Sequence, residues 1–343
     1  MKHRLLLVAA LVAAVACSCT KEEQWWQLRG AVLSVEDLQS VDWPKIARDC
    51  GINTLGTHIH PTQVCEFLES EKGQEFLQEC EEYGICVEHQ LHSMNELLPR
   101  DLYEEDPQMF RLNDEGVRTA DFNCCVHSEA ALQIIAKNAA AFAARLRPTN
   151  HRYYFWLDDG APTCVCPLCK EYSASEQALI IENRMIGAIR KVDPKATLAH
   201  LAYANTLDAP VKVKPDKNIF LEFAPFYRNI EHPLSELDAL PPEGYGQMTH
   251  GQNLKYLEDN LKVFPAESTV ILDYWLDVSM CSGWKKPAVQ LPWHPEVVRD
   301  DLATYKKYGI RNATSFAVYM DDAYFESYPS LAPLKEYGAC FED

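Results

Sequence analysis

Short apolar runs alternate with longer amphipathic stretches from Leu28 to the end of the chain. Runs of this length, rich in β-branched and aromatic residues, are typical of strands. The eight predicted strands are Leu28–Ser34, Asn53–His58, Cys86–His92, Tyr153–Asp158, Thr197–Tyr203, Ile219–Phe226, Val270–Leu276 and Thr314–Met320. The predicted helices between them include Trp43–Cys50, Gly73–Tyr83, Ser128–Leu146, Ser175–Val192, Asn253–Val263 and Pro295–Tyr308. Apolar strands that alternate with helices indicate a parallel sheet covered on both faces, and eight such units predict an α/β fold, a single closed (β/α)8 barrel of the TIM type.

The connections between these elements refine the picture. Gly51, Gly84 and Gly309 each follow a predicted helix and precede the next strand, as a helix-ending glycine does. The segment 208–217 is rich in Pro and Lys and is not predicted as a helix. The third strand is followed by a long loop from Ser93 to about residue 123, and loops of this length are usually functional. No Gly-x-Gly-x-x-Gly turn follows the first strand, so no nucleotide cofactor is expected.

The first residues are predicted to be a targeting signal. Residues 1–16 have a basic start followed by twelve apolar residues, too few to span a bilayer. Cys17 and Cys19 follow small residues in the manner of a bacterial lipobox, and either is a candidate for lipidation, with ordinary signal cleavage as the alternative. We therefore expect a signal peptide and anchor in residues 1–19, a tether in 20–27 and the barrel in 28–343. The lipid would be the only membrane contact of a secreted lipoprotein at the outer membrane or cell surface, the periplasmic face being the alternative.

The charge of the chain narrows the choice of ligand. There are 50 Asp and Glu against 32 Lys and Arg, a formal net charge of −18. Such a protein repels nucleic acids and anionic membrane surfaces. We therefore expect no nucleic-acid partner and favour a neutral ligand.

Acidic and aromatic residues collect at the ends of the predicted strands, where barrel enzymes carry their active sites. The candidate catalytic residues are Asp158, Asp159, Glu222 and Asp273. The candidate substrate-binding residues are His58, His60, Glu88, His92, Tyr203, Tyr274, Trp275, Asp277 and Tyr319. Aromatic rings stack on the apolar faces of sugars while carboxylates bind hydroxyls and transfer protons, so a carbohydrate is the expected substrate. Any one of these residues alone could be a solvated loop carboxylate or a satisfied core histidine.

Asp158, Asp159 and Gly160 form the most specific of these strand ends. Adjacent strand residues point to opposite faces, so both carboxyls reach one cleft only if the chain turns there, as Gly160 allows. Two close carboxyls cannot both ionise easily, and the protonated one can act as a general acid. Glycoside hydrolysis needs such a donor and a second group, which in substrate-assisted enzymes is the substrate's own acetamide. The alternative is a pair that caps a helix or a metal loop.

A three-cysteine motif follows at once, with the spacing C-x-C-x-x-C in Cys164, Cys166 and Cys169. This spacing is typical of a tetrahedral metal site or of a local disulfide cluster. The candidates for a fourth ligand stand at the start of the preceding helix: Cys124, Cys125 and His127. A structural zinc ion and disulfides both fit, and either would hold the loop that displays Asp159.

The chain resembles the domain-of-unknown-function family numbered 4838. The residues that carry the resemblance are Glu88-His89, Leu97–Arg100, Pro107–Phe110, Asn123–Cys125, Asp159-Gly160 and Cys164–Cys169, while Gly51–His58 resembles the second strand of the glycosidase barrels. The resemblance implies a Bacteroidetes lipoprotein with a glycosidase-like barrel, of a kind often encoded near carbohydrate-degrading enzymes. Proteins of a glycan-uptake system are the expected neighbours. It also implies that one of Cys124 and Cys125 belongs with the three-cysteine motif.

A looser resemblance connects the chain with the β-N-acetylhexosaminidases, whose acidic pair closes the fourth strand. Asp158 and Asp159 occupy that place, and Tyr274 would hold the acetamide, but the Gly-Gly-Asp-Glu motif of those enzymes is absent. The expected function is a surface glycoside hydrolase acting on neutral or N-acetylated glycans. The alternatives are a non-catalytic glycan-binding barrel and a metal-dependent hydrolase that uses His58 and His60.

Overall fold

The eight predicted strands form a closed parallel barrel. The computed structural model describes residues 24–342. The strands follow one another around the barrel in chain order. Their bounds are β1 Leu28–Ser34, β2 Thr54–His58, β3 Cys86–His92, β4 Arg152–Trp156, β5 Thr197–Ala202, β6 Ile219–Phe223, β7 Val270–Asp273 and β8 Asn312–Phe316. The predicted (β/α)8 fold is therefore confirmed.

Helices lie between the strands and cover the outside of the barrel. The α-helices are α1 Val35–Ser40, α2 Trp43–Asp49, α3 Pro61–Glu69, α4 Glu71–Tyr83, α5 Met94–Leu97, α6 Glu129–Leu146, α7 Ala174–Ile189, α8 His250–Asn260, α9 Val278–Cys281, α10 Pro295–Lys307, α11 Asp322–Ser327 and α12 Ala332–Ala339. Short 3-10 helices are Arg100–Glu104, Pro107–Met109, Cys169–Glu171, Ala204–Thr206 and Ala266–Ser268. Within residues 24–342 no helix is long and apolar enough to cross a membrane. Cys17 and Cys19 lie outside the described residues.

Two apolar layers hold the barrel together. One fills the space between the strands and the helices and includes Trp43, Phe67 and Phe110. The other lies inside the barrel around Val32, Tyr154 and other inward residues of the strands. Because successive strand residues point to opposite faces, each strand supplies both layers.

The connections behave largely as the sequence predicts. Gly51, Gly84 and Gly309 have φ values of +74°, +67° and +83°, which end the preceding helices in the left-handed conformation. Only the 3-10 turn Ala204–Thr206 stands between β5 and β6. The long connection after β3 is not a structureless loop, because it contains α5 and two 3-10 helices and buries Phe110 in the core.

The last helix, α12, packs closely against the end of α2. A Cβ atom at Gly338 in α12 would lie 1.7 Å from the carbonyl oxygen of Cys50, at the end of α2. Only glycine allows this approach of two backbones. The contact joins the two ends of the described chain across the closure of the barrel.

We expect Gly338→Ala to destabilise the protein by about 2 kcal/mol or more, because the backbone of Cys50 has to move. Gly187→Ala is the matched control, since nothing lies within 4 Å of a Cβ at this exposed position of α7. Alanine there should be neutral or stabilise by about 0.5–1 kcal/mol. Chemical denaturation measures both changes, and equal free energies of unfolding for the two variants would contradict this packing.

Candidate functional site

A cleft of about 330 Å³ opens at the carboxyl ends of the strands. Its walls are largely aromatic, as the sequence predicts for Tyr203, Tyr274 and Tyr319. Further aromatic residues that the sequence analysis did not assign to the site also line it: Trp156, Phe226, Trp284 and Phe316. Trp156 could have been found, because it stands two residues before Asp158 and points into the barrel by the alternation of β4.

Two neutral histidines stand in this cleft. The Nδ1 atoms of His58 and His92 lie 2.7 Å from the carbonyl oxygens of Gln90 and Leu157. A carbonyl oxygen can only accept, so each Nδ1 carries the proton and each Nε2 is left as an acceptor. Burial and the neighbouring His92 lower the pKa of His58 to about 3, and burial lowers the pKa of His92. Both rings therefore present acceptors to a ligand.

The two adjacent carboxyls after the fourth strand, Asp158 and Asp159, have different surroundings and different roles. Asp159 lines the cleft with 63% of its side chain exposed, and its Oδ1 lies 3.9 Å from Nε2 of His92. The Tyr203 hydroxyl is hydrogen-bonded to Asp159, and burial raises the pKa of that tyrosine, which keeps its proton. Gly160 supplies the expected turn, with φ of +55°.

Asp158 turns away from the cleft. Its Oδ2 accepts from Nη2 of Arg100 at 2.6 Å and from the backbone N–H of Asn123 at 2.5 Å. Both donors belong to the long connection after β3, so Asp158 anchors that connection. The expectation that Asp158 shares the cleft with Asp159 is therefore corrected.

Asp277 is the second carboxyl in the lining of the cleft. It caps the N-terminus of α9, and its Oδ1 accepts from the backbone N–H of Ser279 at 2.9 Å and from the Ser279 hydroxyl at 2.6 Å. Burial raises the pKa of Asp277 to about 6 despite these hydrogen bonds. Asp277 was expected among the binding residues, and the structure places it in the cleft lining as a buried carboxyl with a raised pKa.

Glu222 and Glu88 lie deeper, inside the barrel and beyond the cleft lining. Oε2 of Glu222 accepts from Nε1 of Trp156 at 2.7 Å, so this carboxyl holds a ring of the cleft wall. The Tyr154 hydroxyl donates to Glu88 at 2.9 Å. Burial raises the pKa of both carboxyls. Since neither lines the cleft, the expected catalytic role of Glu222 and binding role of Glu88 are replaced by roles in positioning.

Asp273 and Trp275 point away from the cleft into the layer between strands and helices. Oδ2 of Asp273 lies 3.0 Å from Nη1 of Arg228, and Nη2 of the same guanidinium lies 2.7 Å from Asp301. The indole of Trp275 donates to Asp301 at 2.9 Å. Both expectations are corrected, because a carboxylate buried against arginine and an indole buried beside it cannot reach a sugar.

His60 also lies outside the cleft lining, with its Nδ1 3.2 Å from the carbonyl oxygen of His92. Among the described residues, the group with metal-ligand geometry is made of cysteines, and neither His58 nor His60 belongs to it. The arrangement therefore does not support the metal-dependent alternative.

Four buried cysteines form one cluster beside the cleft: Cys125, Cys164, Cys166 and Cys169. Their sulfur atoms lie within 4.8 Å of one another, with Cys125 at 3.9 Å from Cys166 and 3.8 Å from Cys169. The resemblance left Cys124 and Cys125 open, and the structure brings Cys125 to the cluster. Within residues 24–342 no two cysteines are joined by a disulfide bond in the structure.

Polar groups surround the cluster. The backbone N–H of Leu112 donates to Sγ of Cys164 at 3.2 Å, and Nη1 of Arg118 lies 3.7 Å from the same sulfur. Nδ1 of His127 lies 3.3 Å from Sγ of Cys169. Hydrogen-bond donors aimed at sulfur are the surroundings that thiolate ligands of a metal require.

The fold is that of the barrels found in glycoside hydrolases. A β-galactosidase from the psychrophilic Marinomonas ef1 is similar, with a TM-score of 0.56 and 11% identity over 92% of this chain and 59% of that chain. A GH18 chitinase from Pseudoalteromonas aurantia gives a TM-score of 0.49 and 9% identity over 90% of this chain and 99% of that chain. A glycoside hydrolase family 20 β-N-acetylglucosaminidase gives 0.49 and 10% over 93% of this chain and 70% of that chain. At these identities the likeness concerns the fold alone.

The family of the chain is established by sequence. Residues 56–264 match the model of the family described as Domain of unknown function (DUF4838), and the chain belongs to that family. This confirms the family identified from the sequence motifs. None of the curated proteins compared with the chain matches it.

We expect Asp273→Asn to destabilise the fold by about 3 kcal/mol, because it removes one of the two carboxyl partners of the buried Arg228 and leaves Asp301 as the other. Asp238→Asn, at an exposed position outside the cleft, should change the free energy of unfolding by no more than about 0.5 kcal/mol. Urea denaturation measures both. An unchanged denaturation midpoint for Asp273→Asn would contradict the structural role.

Proposed function

We propose that the protein is a glycoside hydrolase that acts on neutral or N-acetylated glycans. The observation that carries the proposal is the pair of carboxyls in an aromatic cleft, Asp277 buried and Asp159 exposed. The barrel and the position of the cleft at the carboxyl ends of the strands agree with this chemistry. The targeting signal suggests a lipoprotein at the cell surface, with glycan-uptake proteins as neighbours.

In this proposal Asp277 is the general acid. Its raised pKa keeps a proton available near neutral pH, and that proton passes to the glycosidic oxygen as the bond to the anomeric carbon breaks. Asp159 stabilises the positive charge that develops at the anomeric carbon, either directly or by orienting an acetamide of the substrate. Water then attacks that carbon and gives its proton to a cleft carboxylate, which releases the sugar. The sequence favoured Asp158 as the partner of Asp159. In this proposal Asp277 takes that place, and Asp158 holds the loop behind Asp159.

The remaining groups of the cleft suit a neutral sugar. His58 and His92 offer Nε2 acceptors, and sugar hydroxyls are donors that can satisfy them. Burial raises the pKa of Tyr274, so its phenol keeps a proton and can donate to an acetamide carbonyl. The rings of Trp156 and Phe316 provide apolar surface for the faces of the sugar ring.

The pH dependence of turnover follows from the acid. Because the protonated form of Asp277 is required, kcat/KM of the wild type should fall about tenfold per pH unit above about pH 6. The measurement is a pH profile on the best substrate from a panel of aryl hexosides, aryl N-acetylhexosaminides and host glycans. Asp277→Asn should remove this alkaline limb together with most of the activity, while asparagine still caps α9.

The control for Asp277→Asn is Asp42→Asn, a change at another helix-capping aspartate, which is exposed and outside the cleft. It should keep both the rate and the profile. Glycan binding without turnover on any substrate of the panel would instead support a non-catalytic glycan-binding barrel and would overturn the enzyme.

We also propose that the cysteine cluster holds a structural zinc ion. Four thiolates around zinc, with Zn–S bonds of about 2.3 Å, stand about 3.8 Å apart, whereas disulfide sulfurs stand about 2.05 Å apart. The distances of 3.8 and 3.9 Å from Cys125 fit the tetrahedron. Zinc would fix the connection after β4 to the one after β3 and so hold Asp159 in place.

Elemental analysis of protein purified without reductant or chelator should find one zinc ion per chain. Cys125→Ala should lose the zinc and lower the melting temperature, since it removes a ligand. Cys124→Ala, the adjacent buried cysteine outside the cluster, should keep the zinc. Protein that contains no zinc, and whose four cluster cysteines do not react with an alkylating reagent, would favour disulfides and contradict the zinc site.

A further inference from the structure

A second concave surface, of about 610 Å³, lies beside the cleft. It runs between residues 245–248 and α8, and we call it the α8 groove. Its lining includes aromatic, apolar and polar side chains: Tyr227, Tyr245, Met248, Gln252, Lys255 and Tyr256. Both this volume and that of the cleft fall in the range of ligand sites in proteins.

The α8 groove and the cleft share a wall. Phe226 lines the cleft and its neighbour Tyr227 lines the groove, so the chain after β6 serves both. The ring of Tyr245 lies 5.7 Å from the ring of Phe226 and 6.4 Å from that of Trp284. The Tyr245 and Trp284 rings are inclined by only 33° and form an aromatic ridge that leads from the cleft mouth to the groove.

Trp284 is exposed although hydrogen bonds and ion pairs hold the backbone on either side of it. Its side chain stands at the mouth of the cleft with the residue 54% exposed. Its backbone N–H donates to the carbonyl oxygen of Ser279 at 2.8 Å. Two residues later, Lys286 forms ion pairs with Glu36 at 2.9 Å and with Asp321 at 2.6 Å, which lie after β1 and β8. Together with Tyr245 and Phe226, this ring gives the mouth of the cleft an aromatic edge against which a ligand ring can pack.

The charged side chains of the groove indicate whether it binds a charged or a neutral ligand. Nζ of Lys255 lies 2.6 Å from Oδ1 of Asp259, which also accepts from Lys262. Asp259 lines the groove as well, so the lysine of the lining is paired with a carboxylate of the lining. The other polar groups named above are an amide and phenols, which exchange hydrogen bonds with hydroxyl groups and do not demand a charged partner.

We infer that the ridge and the α8 groove bind the further sugar units of the glycan whose terminal bond lies in the cleft. This inference rests on the proposed function and makes the substrate a neutral oligosaccharide or polysaccharide of at least three units. A site for monosaccharide glycosides would need only the cleft. Binding of remote units can then be used to orient the scissile bond.

The test is the dependence of binding on chain length. Ladders of one to four β-linked units of glucose, galactose, mannose and N-acetylglucosamine are titrated calorimetrically into the Asp159→Asn protein, which does not consume them. For the sugar that binds, Kd should fall at least about tenfold between one and three units. Adding Tyr245→Ala should remove most of that gain, whereas Tyr245→Phe, which keeps the ring, should retain it.

Phe122→Ala is the matched control, because Phe122 is an exposed aromatic residue on the connection after β3 and lines neither surface. It should leave the gain with chain length unchanged. In active protein, the ratio of kcat/KM on the trisaccharide to that on the glycosyl fluoride should fall about tenfold with Tyr245→Ala. The fluoride has a one-atom leaving group and no ring that could lie on the ridge.

The outcomes separate the two proposals. Binding that tightens with chain length but is never followed by turnover would keep the groove and reject the hydrolase. Turnover with equal affinity for all lengths, or a gain that survives Tyr245→Ala, would keep the hydrolase and overturn the groove. Failure of every ladder to bind would overturn both.

Discussion

Closure of the sheet between β1 and β8 is the constraint on which the rest of the structure depends. Leu28 to Val32 pair in parallel with Asn312 to Phe316, so the first and last strands become neighbours. All eight carboxyl ends then lie at one rim. This brings the ring of His58 from the second strand within 5.1 Å of the ring of Phe316 from the eighth, and both residues line the cleft.

The free-energy cost of burying a charge explains why some acidic residues support the cleft and others line it. Asp158 and Asp273 are held by the guanidinium groups of Arg100 and Arg228, and Glu222, whose pKa burial raises, accepts from the indole of Trp156. These three acids hold the surroundings of the cleft. Asp159 and Asp277 line the cleft itself.

The barrel could be predicted because its strands are buried on both faces and read as continuous apolar runs, and His58, His92, Asp159 and Tyr274 stand at predicted strand ends. Asp273 and Trp275 were misplaced because adjacent residues alternate: Leu272 and Tyr274 face the interior side, so their neighbours face the helices. The sequence could not reveal that Arg228 would neutralise Asp273, since that contact depends on the tertiary fold. Burial of Asp277, which raises its pKa, depends on the fold in the same way.

The assignment of Asp277 as the acid is tested most directly by the leaving group. Turnover of a dinitrophenyl glycoside, whose leaving group needs no proton, is compared with turnover of the matching disaccharide in wild type, Asp277→Asn and Asp159→Asn. We expect Asp277→Asn to lower kcat/KM about a hundredfold or more on the disaccharide and little on the dinitrophenyl glycoside, while Asp159→Asn lowers it on both. Equal losses on both substrates in Asp277→Asn would contradict its role as proton donor.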